Sequence, residues 1–405
     1  MATTFKPETE AQVLDAVRWA VSEASPLELV GTGTKRALGR PMQAENTLDL
    51  SALAGISLYE PEELILGAGP GTPLAEIEVA LAAENQMLPF EPMDFGPLFG
   101  HAVGLGTIGG VFSCNLSGPR RIKAGAARDH LLGFRSVTGR GDVVKSGGRV
   151  VKNVTGYDLS KLVCGAHGTL AALTEVTFKV LPAPEKTRTV LVFGATGETA
   201  IEAMSAAMNS PHEVASTAHL PAEVAARSAV GYVSGAGGAV TAVRVEGVGP
   251  SVEHRCSALR DALAKFGAIE ELHGHNSATF WREVRDASLL AEPRDRHIWR
   301  LSVAPSESWR IAERLHAAGE VMHFHDWAGG LIWAAVAPTF TAETVRAAVG
   351  PNGGHATLVR APADIRAAAQ VFEPQSGPLG SLSARVKASF DPERVLNPGR
   401  MYPGV

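Results

Sequence analysis

The sequence predicts an α+β protein built from more than one domain. Three observations carry this. Stretches with helical spacing alternate with short apolar runs, and the second half does so in repeated helix–strand pairs, the pattern of helices packed on an antiparallel sheet. At 405 residues the chain is past the size at which one core keeps growing. Pro182 and Pro184 stand where the texture changes and mark a domain boundary.

Thr9 and Gln12 have capping-box spacing, and Val13, Leu14, Val17, Ala20 and Val21 follow at helical intervals, so a helix is expected up to Pro26. Residues 27–30 (LELV) read as a buried strand running into GTGTKRALGRP, a glycine-rich turn at 31–41. Residues 47–50, 56–59 and 64–68 are short strands. Thr72 and Pro73 read as an N-cap followed by proline at the first helical position, ahead of Leu74, Ile77 and Leu81 on one face. Residues 96–118 form a long glycine-rich stretch with little regular pattern. Residues 134–137 and 142–145, around a turn at 139–141, form a hairpin, and a helix is expected near 157–162. Residues 173–180 alternate as a half-exposed strand with Glu175, Thr177 and Lys179 on one side. Beyond 187, strand-like TVLVFG, AVTAVRVEG and WRLSVAP are separated by helical stretches, and 381–398 read as a closing helix and turn.

Composition removes several function classes. A net charge of −5 lacks the basic excess of a nucleic-acid-binding surface. Three cysteines, Cys114, Cys164 and Cys256, are too few for a disulfide framework and contain no CxxC pair, so buried free thiols are expected. They are also too few for an iron–sulfur cluster held by this chain alone. The first 26 residues lack a basic n-region and a continuous apolar run, and no stretch is long and apolar enough for a membrane span. The expected location is cytoplasmic.

Two glycine-rich loops carry the chemistry. GTGTK, at 31–35, follows a buried strand and offers consecutive backbone N–H groups; such nests bind phosphate oxygens, and Thr34 and Lys35 add a hydroxyl and a charge. The alternative is a plain strand-to-turn connection. TIGGVFSCNLSG, at 107–118, has small residues that let a flat aromatic ligand lie against the backbone, with Ser113 and Asn115 as polar contacts; the alternative is a tight packing turn. Together the loops suggest an extended ligand with a pyrophosphate in its middle. GLGTIG, at 104–109, matches the dinucleotide fingerprint in letters only, since no clean strand precedes it and no long helix follows.

The ordered segments GTGTK, TIGGVFSCNLSG, RDHLLGFRSVTGRGDVVKSGG, KNVTGYDLSKLVCGAHGTLAALTEVTFKV and FDPERVLNPGRM resemble the FAD-binding domain of the vanillyl-alcohol oxidase and p-cresol methylhydroxylase (PCMH) superfamily. Within it the chain looks most similar to the smaller, E-type flavin chain of the bacterial glycolate oxidases, in length and in DWAGGLIW at 326–333. The resemblance implies a two-part PCMH-type FAD-binding domain at 1–184, a smaller α+β cap domain with an antiparallel sheet at 185–380, and a segment at 381–405 returning to the flavin site. It implies that Gly31, Thr32, Gly33, Thr34 and Lys35 hold the pyrophosphate. Thr107, Ile108, Gly109, Ser113, Asn115 and Gly118 would line the flavin and ribityl side. Gly125 and Gly168 would bring backbone to the adenosine or ring, and Asn397 would approach the isoalloxazine. No His lies in the 31–35 loop, where some relatives attach flavin covalently, so non-covalent FAD is expected.

The resemblance further implies oxidation of glycolate to glyoxylate, beside a second flavin subunit and an iron–sulfur subunit that takes the electrons onward. Contact with the inner membrane would come only through that complex. Alternatives are a stand-alone 2-hydroxyacid or sugar-acid oxidoreductase, or a non-catalytic flavin relay. Two departures bear on this. His167 and Ala171 stand where relatives carry an acidic residue and a glycine. The HxxGDGNxH-type metal site of related dehydrogenases is absent; His323 and His325 share a strand face without a third ligand, so no metal is expected. His101, His130 and His325 are candidate bases that the sequence does not separate, the alternative for each being a structural histidine, and Arg120–Arg121 are candidates for a carboxylate, the alternative being a solvated face.

Overall fold

A computed structural model describes residues 2–149, 156–351 and 354–405. The KNVT of the fourth resemblance segment, at 152–155, lies outside the described residues. The structure divides into two units. The first comprises Met1–Ser117, Ala126–Ala183 and Arg366–Val405; the second comprises Gly118–Gly125 and Pro184–Ile365.

The first unit is built on two sheets. A short parallel sheet orders Thr4–Phe5, Asn46–Asp49 and Leu27–Val30. A five-stranded antiparallel sheet orders Ile56–Glu60, Ile65–Ala68, Ala171–Lys179, Leu131–Thr138 and Val143–Gly147. The helix Glu10–Ser22 buries Val13, Val17 and Ala20 against Leu27, Leu48, Val137 and Ala172. Each large apolar side chain so buried contributes about 1.5–3 kcal/mol before entropy is counted. Its cap differs from the expected box by one residue. Thr9 accepts from Gln12 N at 3.3 Å, but the Gln12 side chain accepts from Glu8 N at 2.7 Å. The strand Ala171–Lys179 is buried on both faces over its first four residues and alternates only after Thr174, because its start crosses the helix-packed core.

The chain end is tied into this unit. Leu27 N donates to Val395 O and Asn397 N to Leu27 O, so residues 395–397 run beside the strand Leu27–Val30. A buried pair anchors the turn before it. Lys387 Nζ donates to Asp391 Oδ2 at 2.6 Å and to the carbonyls of Thr169 and Leu396. Asp391 in turn accepts from Val395 N and Leu396 N. Gly139 is required here, since a Cβ would stand 2.1 Å from Asp391 Oδ1.

Two local readings need correction. Pro73, not Thr72, occupies the N-cap position of the helix Leu74–Ala83. The Thr72 hydroxyl is buried instead between Gly55 N (2.9 Å) and Gly69 O (2.7 Å). Residues 108–114 are not irregular: Ile108–Cys114 is a helix capped by the Thr107 hydroxyl. Ile108, Val111 and Phe112 supply an apolar face at i, i+3 and i+4, enough to fold a short helix despite Gly109 and Gly110.

The second unit is an eight-stranded antiparallel sheet with helices packed on it. Its order is Ala268–His273, Lys186–Phe193, Val240–Gly247, Ser216–Leu220, Val321–Asp326, Leu331–Val336, His297–Val303 and Gly354–Arg360. Val190, Val192, Val243 and Val245 pack against the helices Gly197–Met208 and Gly249–Leu263. No described helix is long and apolar enough to cross a membrane.

Candidate functional site

The first unit holds an open, mostly apolar-lined cleft, the kind of concavity in which small ligands are bound. One wall is the loop after the strand Leu27–Val30. Gly31, Thr32, Gly33, Thr34 and Lys35 all line it. Gly33 has φ +79°, a left-handed conformation that glycine adopts without strain and that lets the chain turn. Thr32 Oγ1 donates to Leu105 O, tying this loop to the residues before the facing helix.

The opposite wall is the start of the helix Ile108–Cys114. Thr107, Gly109 and Ser113 line the cleft, with Gly110 and Cys114 beside them. The two glycines serve different ends. A Cβ at Gly109 would stand 2.5 Å from Pro70 Cβ and 2.7 Å from Pro70 O, so Gly109 is a packing requirement. A Cβ at Gly110 would point at Lys35 Nζ, 3.2 Å away, across the cleft.

Gly168 and Asn397 complete the lining, with His167 and Arg400. Asn397 works as a clamp: Oδ1 accepts from Leu29 N and Nδ2 donates to His167 O, both at 2.8 Å. His167 N donates to Ser113 O at 2.8 Å, so one loop joins both walls. Arg400 donates to Arg36 O at 3.0 Å and lies 3.8 Å from Glu28, which also pairs with Arg36.

Four expected positions lie elsewhere. Ile108 is fully buried in the core. Asn115 ends the helix at φ +50°, and its Oδ1 accepts from Arg128 N at 3.1 Å. Gly118 and Gly125 belong to the second unit. Of the candidate bases, His130 is buried in the first unit, and His325 is buried in the second, where it lies 5.1 Å from His323, ring to ring. Among the described residues no group of three His, Cys, Asp or Glu is arranged to hold a metal ion.

The electrostatics favour an anion. Burial pushes the Lys35 ammonium below its usual value. Its hydrogen bond goes to the Thr34 hydroxyl at 3.3 Å, and among the described residues no carboxylate lies within ion-pair distance. Burial also lowers Arg400, and holds His167 down to about 3, with the Arg400 charge adding to the effect. A desolvated ammonium lining the cleft, beside glycines where a side chain would crowd it, fits a phosphate-bearing ligand.

The family model described as FAD binding domain matches residues 1–147. Glycolate oxidase subunit GlcE of Escherichia coli is 36% identical over 391 residues, covering 96% of each chain. The chain belongs to the GlcE family of glycolate oxidase subunits. Glycolate oxidase subunit GlcD of Bacillus subtilis is 24% identical over 93% of the chain and 84% of its own length. Among solved structures, p-cresol methylhydroxylase with substrate bound superposes with TM-score 0.71 at 16% identity, over 99% of this chain and 88% of the other. The 4-ethylphenol oxidase of Gulosibacter chungangensis gives 0.70 at 14%, over 99% and 89%. At such identities these show the fold, which is PCMH-type. This GlcE family member is an FAD-dependent oxidoreductase, and the cleft residues fit that cofactor.

Arg400, Gly110 and His167 were missing from the expected site. Arg400 had a weak signal, a cation three residues after Asn397, but its contact with Arg36 spans 364 positions.

Proposed function

We propose that this chain is the FAD-bearing, GlcE-type component of a complex that oxidises glycolate to glyoxylate, beside a second flavin subunit and an iron–sulfur partner that takes the electrons. The observation that carries the reading is the end-to-end match, 36% identical over 96% of both chains, to a protein named as a glycolate oxidase subunit. The near-full-length match to a second subunit type supports two related flavin chains in one assembly.

When bound, FAD supplies a hydride acceptor for the α-carbon of a 2-hydroxy acid. The chain's own work is binding and charge placement. The 31–35 backbone and the Lys35 ammonium hold the pyrophosphate. Thr107, Gly110 and Ser113 form the facing wall. The Asn397 clamp keeps the backbone at Gly168 against that wall. His167 stays neutral at physiological pH and adds no charge to the Lys35–Arg400 cleft. The reading takes attachment as non-covalent, with no His in the 31–35 loop to carry the bond there.

The test is anaerobic glycolate added to the isolated chain and to the co-purified complex. Flavin bleaching in the complex, with co-purifying iron–sulfur protein, is the expected result. Bleaching in the complex but never on this chain's flavin assigns substrate chemistry to the partner and makes this chain a relay. A monomer with full turnover and no iron–sulfur partner contradicts the reading.

A further inference from the structure

The chain end brings a second cation into the cleft of the first unit. Arg400 lines that cleft and is only 6% exposed. It is held at both ends. Its carbonyl accepts from Arg40 N at 2.9 Å, and its guanidinium donates to Arg36 O at 3.0 Å. Its stem lies on Gly39, whose φ is +87°; a Cβ there would stand 3.0 Å from Arg400 Cδ and from Arg400 O. Gly39 O accepts in turn from Arg366 at 2.8 Å, and Arg40 donates to the carbonyls of Ala367 and Ala369. The loop that carries Lys35 and the segment that carries Arg400 are therefore fastened together.

The positive charge of this cleft is not balanced within it. Lys35, Arg36 and Arg400 line it, and among the described residues no carboxylate does. Those three cations have one carboxylate within ion-pair distance among the described residues, Glu28, and it is engaged by Arg36, whose Nε and Nη2 both donate to its Oε2. Arg400 stands 3.8 Å from the same group. Asp94, the next carboxylate that acts on Lys35, accepts from Gly96 N and Gly104 N. Of the five N–H donors of the Arg400 guanidinium, the Arg36 carbonyl takes one. Lys35 and Arg400 also converge, since both charges bear on the Cys114 thiol in the cleft wall. Burial pushes that thiol up, so it stays protonated and supplies no counter-charge.

A cavity with three cations on its wall and one carboxylate among them suits an anion of more than one charge. A pyrophosphate diester carries two. An ammonium meets it as a point charge, whereas a guanidinium offers a planar fork that takes two phosphate oxygens side by side. We propose that Arg400 is a phosphate-recognition residue of the cofactor site and shares the pyrophosphate of FAD with Lys35. The chain end thus does more than brace the 31–40 loop, because it supplies half of the charge that selects a dinucleotide. The inference deepens the assignment of the cleft to FAD and rests on it.

The test compares Arg400→Gln and Arg400→Lys with the wild-type chain, deflavinated for rebinding and FAD-saturated for phosphorus NMR. Arg400→Gln should weaken FAD binding about 10- to 100-fold, the loss typical of charge-assisted bonds. Arg400→Lys should recover only part, because an ammonium offers no planar fork. At saturating FAD, both variants should shift at least one of the two phosphorus signals of the bound cofactor, which a residue that merely braces the loop would leave in place. Melting of the flavin-free chains should change little. If Arg400→Gln does not fold, Arg400→Lys and its phosphorus spectrum carry the test. Unchanged FAD affinity in Arg400→Gln, or phosphorus signals unmoved in every variant that folds, overturns the proposal. A wild-type chain that takes up no FAD defeats the cofactor reading itself, whereas FAD held equally by wild type and Arg400→Gln defeats only the role of Arg400.

Discussion

Replacing Lys35 with methionine should lower cofactor affinity without lowering stability. Among the described residues Lys35 has one hydroxyl partner at 3.3 Å and no ion pair, and burial disfavours its charge. Losing that bond costs about 0.5–1.5 kcal/mol, while removing a desolvated charge returns a comparable amount. Methionine keeps the length and apolar stem. Lys35→Met should therefore leave the urea stability of the flavin-free chain within about 1 kcal/mol of wild type, or raise it. FAD affinity should fall, since a charge-assisted bond is worth about 1.5–3 kcal/mol, or roughly 10- to 150-fold in Kd. Denaturant titration of the deflavinated chain and quenching of flavin fluorescence on rebinding measure the two quantities. A variant that loses stability but binds FAD as wild type would refute the reasoning and make Lys35 structural.

Three further perturbations separate packing from function. Gly110→Val should abolish FAD uptake with near-native melting, while Gly109→Val, driven into Pro70, should lose the fold; equal behaviour in thermal melts and flavin content would contradict the assignment. Asp391→Ala leaves the buried Lys387 ammonium without its ion pair and should cost about 3–5 kcal/mol by denaturant titration, with faster hydrogen exchange at Val395–Asn397; a cost under about 1 kcal/mol would contradict the anchor. Acid should destabilise the chain well above the carboxylate range. His167 and His323 are held down to about 3 and His219 to about 4, each from 6.5, chiefly by burial. A depressed folded value means the unfolded chain binds the proton first, so stability is full above about pH 6.5 and falls as pH drops toward 4. At pH 5 each such group removes about 2 kcal/mol. Flat stability between pH 7 and 5 would refute the burial of these rings.

Sequence reading reached what is local. The Thr9 cap and its helix, the strand 27–30 with its glycine loop, and the hairpin around 139–141 each follow from spacing and turn chemistry within a dozen residues. The α+β character of the second half follows from its alternating periodicities. What escaped was directional or distant. Gly109 and Gly110 both line the cleft but are about 100° apart on a helix, so a Cβ on one would meet Pro70 and on the other Lys35. Reading 96–118 as irregular hid the helix that makes this distinction. Asn397 holds Leu29 across 368 positions, and Trp327 holds Gly118 across 209, contacts that no local pattern encodes. The same distance concealed that Gly118 and Gly125 belong to the second unit while their sequence neighbours build the first.

The cleft's identity as the cofactor site is tested most directly by the visible spectrum of the purified chain, followed by acid release and quantitation of the flavin. The account predicts flavin absorbance bands, about one FAD per chain, all of it released into the supernatant. A chain without flavin bands that takes up no added FAD would contradict it, and flavin left on the denatured polypeptide would contradict the non-covalent attachment.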